Sequence, residues 1–420
     1  MNKQIYLVGL AMIALFVLLF AQLNYLQVFR AGSLNRNPLN TRLALKKFTT
    51  KRGDIVTSDG VVVAHSTPTT DGFKWQRTYP EGLLYAGITG YFSFTYGETG
   101  AERSFDADLT GSNTAFQLPR SLKDLTVNQD RSQTVTLSVS DRLQRLAAQQ
   151  LGTRHGAVVA LDPTTGAILA MVSTPSFDPN ALASHDQQEV RSAWQQLNAD
   201  PSKPLLPPAY AQRYFPGSTF KVITASAAFD HGADLVTKTF PNLSALPLPL
   251  TNGQVLRNFG GEVCGGQLAD LFRVSCNTGF AALGLALGGP ALAAEAEAFG
   301  FNKIPPLDLP GGVPAYFPPG DSFEHDPAGL AKSAIGQENV QAPPLEMALV
   351  ASAIANGGVI MKPHVLKEVT NSQGQVTRTA QPAPWLTATS PQTAAKVGQL
   401  MISVVDNGTG TAAKLPSVQV

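Results

Sequence analysis

The strongest constraint on the fold comes from residues 214–221, which read Tyr-Phe-Pro-Gly-Ser-Thr-Phe-Lys. The Pro216-Gly217 pair predicts a turn, and the apolar run after it predicts a largely buried helix that ends near Gly232. Ser218 then lies in the first turn of the helix, and Lys221 lies one turn later on the same face. The chain must therefore fold so that a serine and a lysine share the start of a buried helix.

This pairing is suited to nucleophilic catalysis, because serine is a poor nucleophile until a base takes its proton. Lysine acts as a base only when it is neutral, and burial and the positive end of the helix dipole both lower its pKa. The alternative is an ordinary helix start, with Ser218 as the N-cap residue and Lys221 in solvent. Ser218 is the only serine in the chain with a lysine three residues later.

The N-terminal segment predicts a membrane anchor. There is no charged residue between Lys3 and Arg30, and residues 5–21 are almost wholly apolar. Together with the residues up to 29, this stretch is long enough to span a bilayer. A cleaved signal peptide is the alternative, but the apolar core is long and no small-x-small cleavage site follows it. We therefore expect an uncleaved transmembrane helix over residues 5–29.

The charges around this segment bear on its orientation. Only Lys3 precedes the span, whereas a group of basic residues follows it: Arg30, Arg36, Arg42, Lys46, Lys47, Lys51 and Arg52. The positive-inside rule mildly favours a cytoplasmic location for the part of the chain after the span. Long domains can be translocated regardless of such charges, so this argument does not fix the topology.

Composition excludes several classes of protein. A chain of 420 residues is long enough for two or three domains. Its 44% hydrophobic and 15% charged residues fit a full core and not a disordered chain. The net charge of +1 gives no reason to expect a nucleic-acid partner. The six histidines show no ligand spacing, so we expect no metal and no cofactor.

The chain has two cysteines, Cys264 and Cys276. In an extracytoplasmic protein they could pair as a disulfide, and the alternative is two unpaired thiols. The sequence leaves both alternatives open.

Residues 51–138 are interpreted as a β-rich N-terminal module. Residues 51–64 predict a strand, an Asp59-Gly60 turn and a second strand, and short β-like runs broken by turn residues follow. No chemical motif lies in this module, which indicates a structural or interaction role. A helix at 141–151 then opens a second domain, residues 140–420. In it, apolar runs on both sides of a turn predict a hairpin over residues 156–173 that is buried on both faces.

A second polar cluster, Ser275-Cys276-Asn277, follows a predicted helix. If it faces Ser218 and Lys221, the Ser275 hydroxyl is suited to relay a proton between Lys221 and a leaving group. The Asn277 amide is suited to hold both Lys221 and a substrate amide by hydrogen bonds. The two clusters together would complete a working site.

These motifs, in this order, resemble the class B penicillin-binding proteins, and most of all the PbpA type of high-GC Gram-positive bacteria. The resemblance runs from the membrane span to the last residue. The segments that carry it are residues 52–55, Tyr79-Pro80 with Gly82, 87–91, 156–179, 215–221, 275–277, Gly336-Gln337, 344–348, 356–358 and Pro363-His364. Together these segments are specific, whereas each alone is not.

The resemblance implies a mixed α/β (α+β) transpeptidase fold, with a central antiparallel sheet and helices on both faces. It also implies an enzyme anchored in the cytoplasmic membrane with its bulk outside, which overrules the charge argument above. Such an enzyme cross-links the stem peptides of peptidoglycan, and β-lactams acylate it because they mimic D-Ala-D-Ala. The N-terminal module would serve as a pedestal or contact cell-division or elongation proteins.

The resemblance also implies roles for individual residues. Ser218 would attack the D-Ala-D-Ala carbonyl, Lys221 would be the base, and Ser275 with Asn277 would form the second motif. The backbone N–H of Ser218 would supply half of the oxyanion hole. The substrate-binding residues implied by the resemblance are Gly217, Gly336 and Gln337.

The third sequence motif of the family, Lys-Thr-Gly or Lys-Ser-Gly, is missing, since neither string follows the second motif. The nearest string is Asn-Gly-Thr-Gly-Thr at residues 407–411. We expect the third motif and the last strands of the central sheet to lie beyond Val420. The alternative functions are a catalytically incomplete cell-division scaffold, a D,D-carboxypeptidase and a hydrolase related to the serine β-lactamases.

Overall fold

The computed structural model describes residues 2–30, 45, 47–112 and 131–420. Three of the basic residues that bear on the orientation of the anchor, Arg36, Arg42 and Lys46, lie outside the described residues, as does the stretch 113–130 of the N-terminal module. By its internal contacts the chain divides into two compact units. One comprises Met1–Lys51 and Thr67–Gln76, and the other comprises Arg52–Ser66 and Arg77–Val420.

The chain begins with one long helix, α1 (Asn2–Asn24), which continues as a π-helical turn over Tyr25–Phe29. This helical stretch, Lys3–Phe29, has 27 residues, and its most apolar part is entirely exposed. Of the described helices, it alone is long and apolar enough to cross a bilayer without a bend. The helix fits a membrane anchor.

Residues 47–49 are helical, and the strands and longer helices that follow them begin at residue 55. The strands are β1 (Ile55–Val56), β2 (Val62–Pro68), β3 (Trp75–Thr78), β4 (Phe92–Ser93), β5 (Gly97–Glu98), β6 (Thr134–Leu137), β7 (Gly156–Leu161), β8 (Ile168–Thr174), β9 (Phe240–Leu243), β10 (Ala245–Pro247), β11 (Val255–Arg257), β12 (Cys264–Gly266), β13 (Val359–Met361), β14 (Leu366–Thr370), β15 (Val376–Thr379) and β16 (Pro384–Thr387). The helices are α2 (Gly82–Thr89), α3 (Gly100–Ser104), α4 (Asp106–Leu109), α5 (Asp141–Leu151), α6 (Asn180–Ala183), α7 (Gln187–Ala199), α8 (Pro208–Ala211), α9 (Lys221–His231), α10 (Ala233–Thr237), α11 (Leu268–Arg273), α12 (Asn277–Leu287), α13 (Gly289–Ala298), α14 (Pro327–Ser333), α15 (Pro344–Ala355) and α16 (Pro391–Asn407).

The largest sheet has the strand order β15-β14-β6-β1-β2-β3. β1 pairs with β2 in antiparallel register, which places Ile55 opposite Ala64 across the predicted turn. On its other side β1 runs parallel to β6, with Ile55 opposite Val135. β14 pairs with the other side of β6, with Val369 opposite Val135, and β15 forms the edge of the sheet. The sheet therefore draws strands from both sides of the boundary expected near residue 138, and the domain boundaries stay a prediction.

The N-terminal module also contains helices that the sequence analysis did not predict. α2 buries Tyr85 and Ile88, and it ends at Gly90, which has a φ of +66°. Glycines at the start, middle and end of this stretch gave it the pattern of broken β runs. Burial of its apolar side chains outweighs that weak local preference.

A buried ion-pair cluster lies beside β1 and β3. Arg52 Nε donates to Glu102 Oε2 at 2.9 Å, and Arg77 Nε donates to Glu102 Oε1 at 2.6 Å. Burial alone would raise the pKa of Glu102, but the two guanidinium groups outweigh it and lower the pKa. Paired charges tolerate burial where a single one does not. Arg52, which contributes to the family resemblance, is therefore a structural residue.

The predicted hairpin is present as the antiparallel pair β7–β8, with Val158 opposite Val172. β8 is buried over most of its length against α5, but β7 is half-buried throughout. The prediction that the hairpin is buried on both faces is therefore wrong for β7. Within the described residues the two strands pair only with each other, so the outer edge of β7 has no strand beside it.

The helix that follows Ser218, α9, lies in the middle of a helical core. It packs against α12, α13 and α16. Ile223, Ala227 and Ala228 are fully buried. Thr224 Oγ1 donates to the carbonyl of Ala334 at 2.8 Å, which ties α9 to the end of α14. Because of this packing, the start of α9 has a fixed position.

Candidate active site

Ser218 lies on a tight turn at the start of α9. A 3₁₀ turn, Gly217–Phe220, runs directly into the α-helix, and Gly217 has a φ of +56°. Phe220 is fully buried, and its ring stacks on Phe317 at a centroid distance of 5.4 Å. Ser218 itself is exposed. The buried ring anchors the turn while the serine hydroxyl stays accessible.

A backbone hydrogen bond to a distant segment of the chain holds this turn in place. Gly217 N donates to the carbonyl of Gly336 at 2.9 Å. Gly336 has a φ of +69°, and a Cβ there would lie 2.3 Å from Gly217 O. Only glycine fits such a close approach without displacing backbone. The structure thus brings Gly217 and Gly336 together beside Ser218, and Gln337 follows as an exposed residue.

Lys221 is the first residue of α9, and its side chain is almost fully buried. Its Nζ lies 2.7 Å from Ser275 O, 3.0 Å from Ser275 Oγ and 2.8 Å from Asn277 Oδ1. Burial lowers the pKa of Lys221 to about 7. A neutral amine keeps two N–H donors for the carbonyl oxygens and offers its lone pair to the Ser275 hydroxyl. The geometry therefore accommodates the basic form of this lysine.

The predicted pairing of Ser218 with Lys221 stays a prediction. Both residues are described, and no hydrogen bond joins their side chains; the polar contacts of Lys221 Nζ go to the second cluster instead. The reason is burial, since Lys221 is inside and Ser218 is on the surface of the turn. Catalytic hydrogen bonds are often long in substrate-free enzymes and shorten with substrate bound. The chemical unit thus includes Ser275 and Asn277.

Ser275 and Asn277 lie where α11 gives way to α12. Ser275 has a φ of +55°, which is uncommon for serine and requires support from its surroundings. Asn277 opens α12, and while Oδ1 accepts from Lys221, Nδ2 donates to the carbonyl of Arg257 at 3.2 Å. The sharp turn at Ser275 directs both polar side chains to Lys221. The two clusters predicted from the sequence therefore meet.

These groups are suited to acyl transfer by a nucleophilic serine. The site offers an exposed hydroxyl, a base with a pKa near neutrality, a second hydroxyl and an amide. Among the residues that the structure describes, no group of three or more His, Cys, Asp or Glu side chains is placed to hold a metal ion.

Comparison with known proteins identifies the family. Residues 156–420 match the family described as penicillin binding protein transpeptidase domain, and residues 52–135 match the penicillin binding protein A dimerisation domain. The chain belongs to the penicillin-binding protein transpeptidases. Within the family it is of the PbpA type. The third motif of the family, Lys-Thr/Ser-Gly, does not occur after Asn277 in this sequence.

Named relatives and solved structures agree with this assignment. The peptidoglycan D,D-transpeptidase PbpA of Mycolicibacterium smegmatis is 40% identical over 413 residues, which cover 96% of this chain and 82% of the relative. PbpA of Mycobacterium tuberculosis is 38% identical over 415 residues, with the same coverage of 96% and 82%. The imipenem acyl-enzyme structure of penicillin-binding protein A from M. tuberculosis is 36% identical, with a TM-score of 0.81 over 89% of this chain and 86% of that one. The penicillin G acyl-enzyme structure has the same identity and a TM-score of 0.78, over 88% and 84%.

In this penicillin-binding protein transpeptidase a disulfide lies beside the second cluster. Of the two alternatives left open for the cysteines, the structure has the bridge: Cys264 and Cys276 are joined, with Cα atoms 5.9 Å apart. Cys276 is the N-cap residue of α12 and stands between Ser275 and Asn277. The bridge therefore links strand β12 to the turn that carries the second cluster.

Asn258 is a structural residue of the site that the sequence analysis missed. Its side chain is buried, and its Nδ2 donates to the carbonyls of Leu243 at 2.8 Å and Glu262 at 2.9 Å. Its Oδ1 accepts from the backbone N–H of Thr278 at 2.9 Å. One amide thus joins β9, the loop before β12 and the first turn of α12. In the sequence it is one asparagine before two glycines, which indicates only a turn.

Proposed function

We propose that this chain is a peptidoglycan D,D-transpeptidase in which Ser218 carries the acyl group. The observation that carries the proposal is the position of Lys221, whose buried Nζ lies 2.7–3.0 Å from Ser275 and Asn277 at the base of a turn that exposes Ser218. Relatives of this chain named D,D-transpeptidases support it. The penicillin G and imipenem acyl-enzyme complexes of penicillin-binding protein A support the covalent step.

The first half-reaction forms the acyl-enzyme. Neutral Lys221 takes the proton of the Ser218 hydroxyl, and Oγ attacks the carbonyl carbon of the D-Ala-D-Ala bond. The backbone N–H of Ser218 stabilises the developing oxyanion. When the C–N bond breaks, the Ser275 hydroxyl relays the proton from Lys221 to the leaving amine, and the terminal D-Ala departs. Asn277 holds Lys221 in place and donates to the substrate amide.

The second half-reaction uses the same groups in reverse. An amine of a neighbouring stem peptide attacks the ester, loses its proton through Lys221, and forms the cross-link as Ser218 is released. A β-lactam enters at the first step, because opening of its ring by Ser218 leaves an ester of the same kind. We assign Gly217, Gly336 and Gln337 to the walls of the substrate site. The contact between Gly217 and Gly336 next to Ser218 supports that role for the two glycines.

We further propose that α1 holds the enzyme in the cytoplasmic membrane with its catalytic part outside, where peptidoglycan is assembled. The exposed apolar surface of α1 supports the anchor, and the location of the substrate supports the orientation. We assign to the N-terminal module contacts with other proteins of cell division or cell elongation. The match of residues 52–135 to a dimerisation-domain family supports an interaction role for this module.

The test is a cross-linking assay with the full chain in detergent. A stem pentapeptide serves as donor and a second stem peptide as amine acceptor, and mass spectrometry separates cross-linked from hydrolysed product. We expect acceptor-dependent cross-links, release of one D-Ala per link, and no product from Ser218→Ala. Hydrolysis alone at every acceptor concentration would instead identify a D,D-carboxypeptidase. Cross-linking by Ser218→Ala would exclude Ser218 as the nucleophile.

A further inference from the structure

An exposed apolar loop lies between β11 and β12. Residues 258–263 read Asn-Phe-Gly-Gly-Glu-Val, and Phe259 is 90% exposed and Val263 67% exposed. Burying a phenylalanine or valine side chain typically contributes about 1.5–3 kcal/mol to the stability of the folded state. Neither Phe259 nor Val263 contributes this stabilisation, because both are exposed. Large exposed apolar side chains that share one short loop with polar residues make that loop a candidate binding surface.

The shape of this loop is fixed from inside the protein. The Asn258 side chain bonds to three backbone groups, one of which is the carbonyl of Glu262 within the loop itself. Gly260 and Gly261 both have positive φ, and Gly261 N donates to Asn258 O at 3.2 Å. Directly after the loop, Cys264 is covalently tied to Cys276. A surface that is already ordered loses little entropy when it binds a ligand.

Both ends of the loop are joined to the catalytic cluster. Before it, the carbonyl of Arg257 accepts from Asn277 Nδ2 at 3.2 Å, and Asn277 in turn contacts Lys221. After it, the disulfide leads to Cys276, which is next to Ser275. The apolar loop is thus continuous with the site where the stem peptide reacts, whereas a surface for an unrelated partner has no reason to be anchored there.

The charges beside the apolar side chains are of both signs. Arg257 and Glu262 are exposed, and neither side chain has a hydrogen bond or ion pair within the described part of the chain. A ligand that fits must present an apolar face together with amines and carboxylates. Peptidoglycan does so, because its sugar rings have apolar C–H faces and its stem peptides carry both kinds of charge.

We propose that residues 258–263 are a docking element for the glycan-bearing peptidoglycan strand, with a sugar ring packed on Phe259 and stem-peptide charges at Arg257 and Glu262. This inference rests on the proposed transpeptidase function. A contact to a part of the substrate remote from the reacting bond strengthens binding without changing the chemical step, so its loss raises KM. The loop therefore serves substrates that carry sugar, and it has no role in acylation by a small β-lactam.

The test compares Phe259→Ala, Phe259→Tyr and a matched control, Leu83→Ala, which truncates a side chain that is 65% exposed on α2. Three quantities are measured on the full chain: kcat/KM for a disaccharide-linked stem peptide, kcat/KM for the sugar-free stem pentapeptide, and the rate of acylation by penicillin G. Phe259→Ala should lower only the first, by roughly 5- to 20-fold and through KM. Phe259→Tyr keeps an aromatic ring and, like Leu83→Ala, should match the wild type in all three.

Co-sedimentation with purified insoluble peptidoglycan is measured in parallel, and it reports docking even without turnover. Weaker sedimentation of Phe259→Ala than of Leu83→Ala supports the inference. Equal sedimentation, or an equal loss of kcat/KM on sugar-bearing and sugar-free peptides, overturns it. A wild-type chain that cross-links neither peptide would count against the proposed function alone, since the sedimentation result still decides the docking role.

Discussion

Among single residues, Lys221 determines the pH range in which the site can react. An ordinary lysine has a pKa near 10.5, and burial lowers that of Lys221 to about 7. The same burial is tolerable because the carbonyl of Ser275 and the amide of Asn277 accept from Nζ. Loss of either partner would leave a buried amine without its hydrogen bonds. The base is thus matched to neutral pH by its surroundings.

The rate of Ser218 acylation is therefore expected to rise with pH through about 7. Below this pKa the neutral fraction of Lys221 grows about tenfold per pH unit, and above it the rate should level off. Lys221→Arg keeps its proton at every pH, so acylation should fall by about two to four orders of magnitude. The measurement is the second-order rate constant for a fluorescent penicillin between pH 5 and 9.

The control for this experiment is Lys367→Arg, an exposed lysine on β14, which should reproduce the wild-type profile. A flat wild-type profile would mean that the group that titrates is not Lys221. Wild-type rates for Lys221→Arg would show that the lysine is not the base.

At the scale of elements, the turn that carries Ser218 depends on a backbone contact between segments far apart in the chain. Gly336, which follows α14, lies against Gly217 so closely that a Cβ would meet Gly217 O at 2.3 Å and the Cβ of Phe220 at 2.7 Å. Phe220 in turn is packed between Phe317 and Phe301. The 3₁₀ turn is thus held on both sides.

Gly336→Ala should therefore displace the turn that presents Ser218. We expect the acylation rate to fall at least tenfold and the free energy of unfolding to fall by about 1–3 kcal/mol, since a clash adds to the strain of positive φ. Gly374→Ala is the matched control, because that glycine has a φ of +76° but no atom within 4 Å of an added Cβ. Equal acylation rates for the two variants would show that close packing at Gly336 is unimportant for the site.

The sequence predicted the local elements better than the long-range contacts. The β1–β2 hairpin, helix α5 and the turn before α9 follow from residue patterns within a few positions, and all three are present. The pairing of β14 with β6 depends on register between segments more than 200 residues apart, which no local pattern encodes. For the same reason the motifs indicated Lys221 and Asn277, whereas Asn258 was missed. Two of its three side-chain hydrogen bonds reach backbone groups 15 and 20 positions away in the chain.

At the scale of the whole molecule, two buried carboxyl groups couple stability to pH. Burial raises the pKa of Glu346 to about 8, and neither of its carboxyl oxygens has a hydrogen-bond partner among the described residues. Burial, with a smaller effect of Asp230, raises the pKa of Glu295 to about 8 as well. In the unfolded chain both groups ionise near their ordinary value of 4.5. Between about 4.5 and 8 the folded state holds more protons, so its stability falls as pH rises.

Glu346→Gln should remove part of this pH dependence. A neutral amide needs no proton to stay buried, so at pH 8 the variant should be more stable than the wild type by about 1–3 kcal/mol, with little difference at pH 5. Thermal unfolding at the two pH values is the measurement. Glu324→Gln, an exposed site, should leave the pH dependence unchanged. If Glu346→Gln and the wild type lose the same stability between pH 5 and 8, Glu346 is not the group responsible.

The role of Ser218 as the nucleophile is tested most directly by locating the penicillin adduct. The full chain is incubated with penicillin G, the intact mass is measured, and the protein is digested to find the modified peptide. We expect a single adduct on Ser218 that is absent from Ser218→Ala and retained in Thr219→Ala, which removes the adjacent exposed hydroxyl. An adduct on another residue, or undiminished labelling of Ser218→Ala, would contradict this role of Ser218.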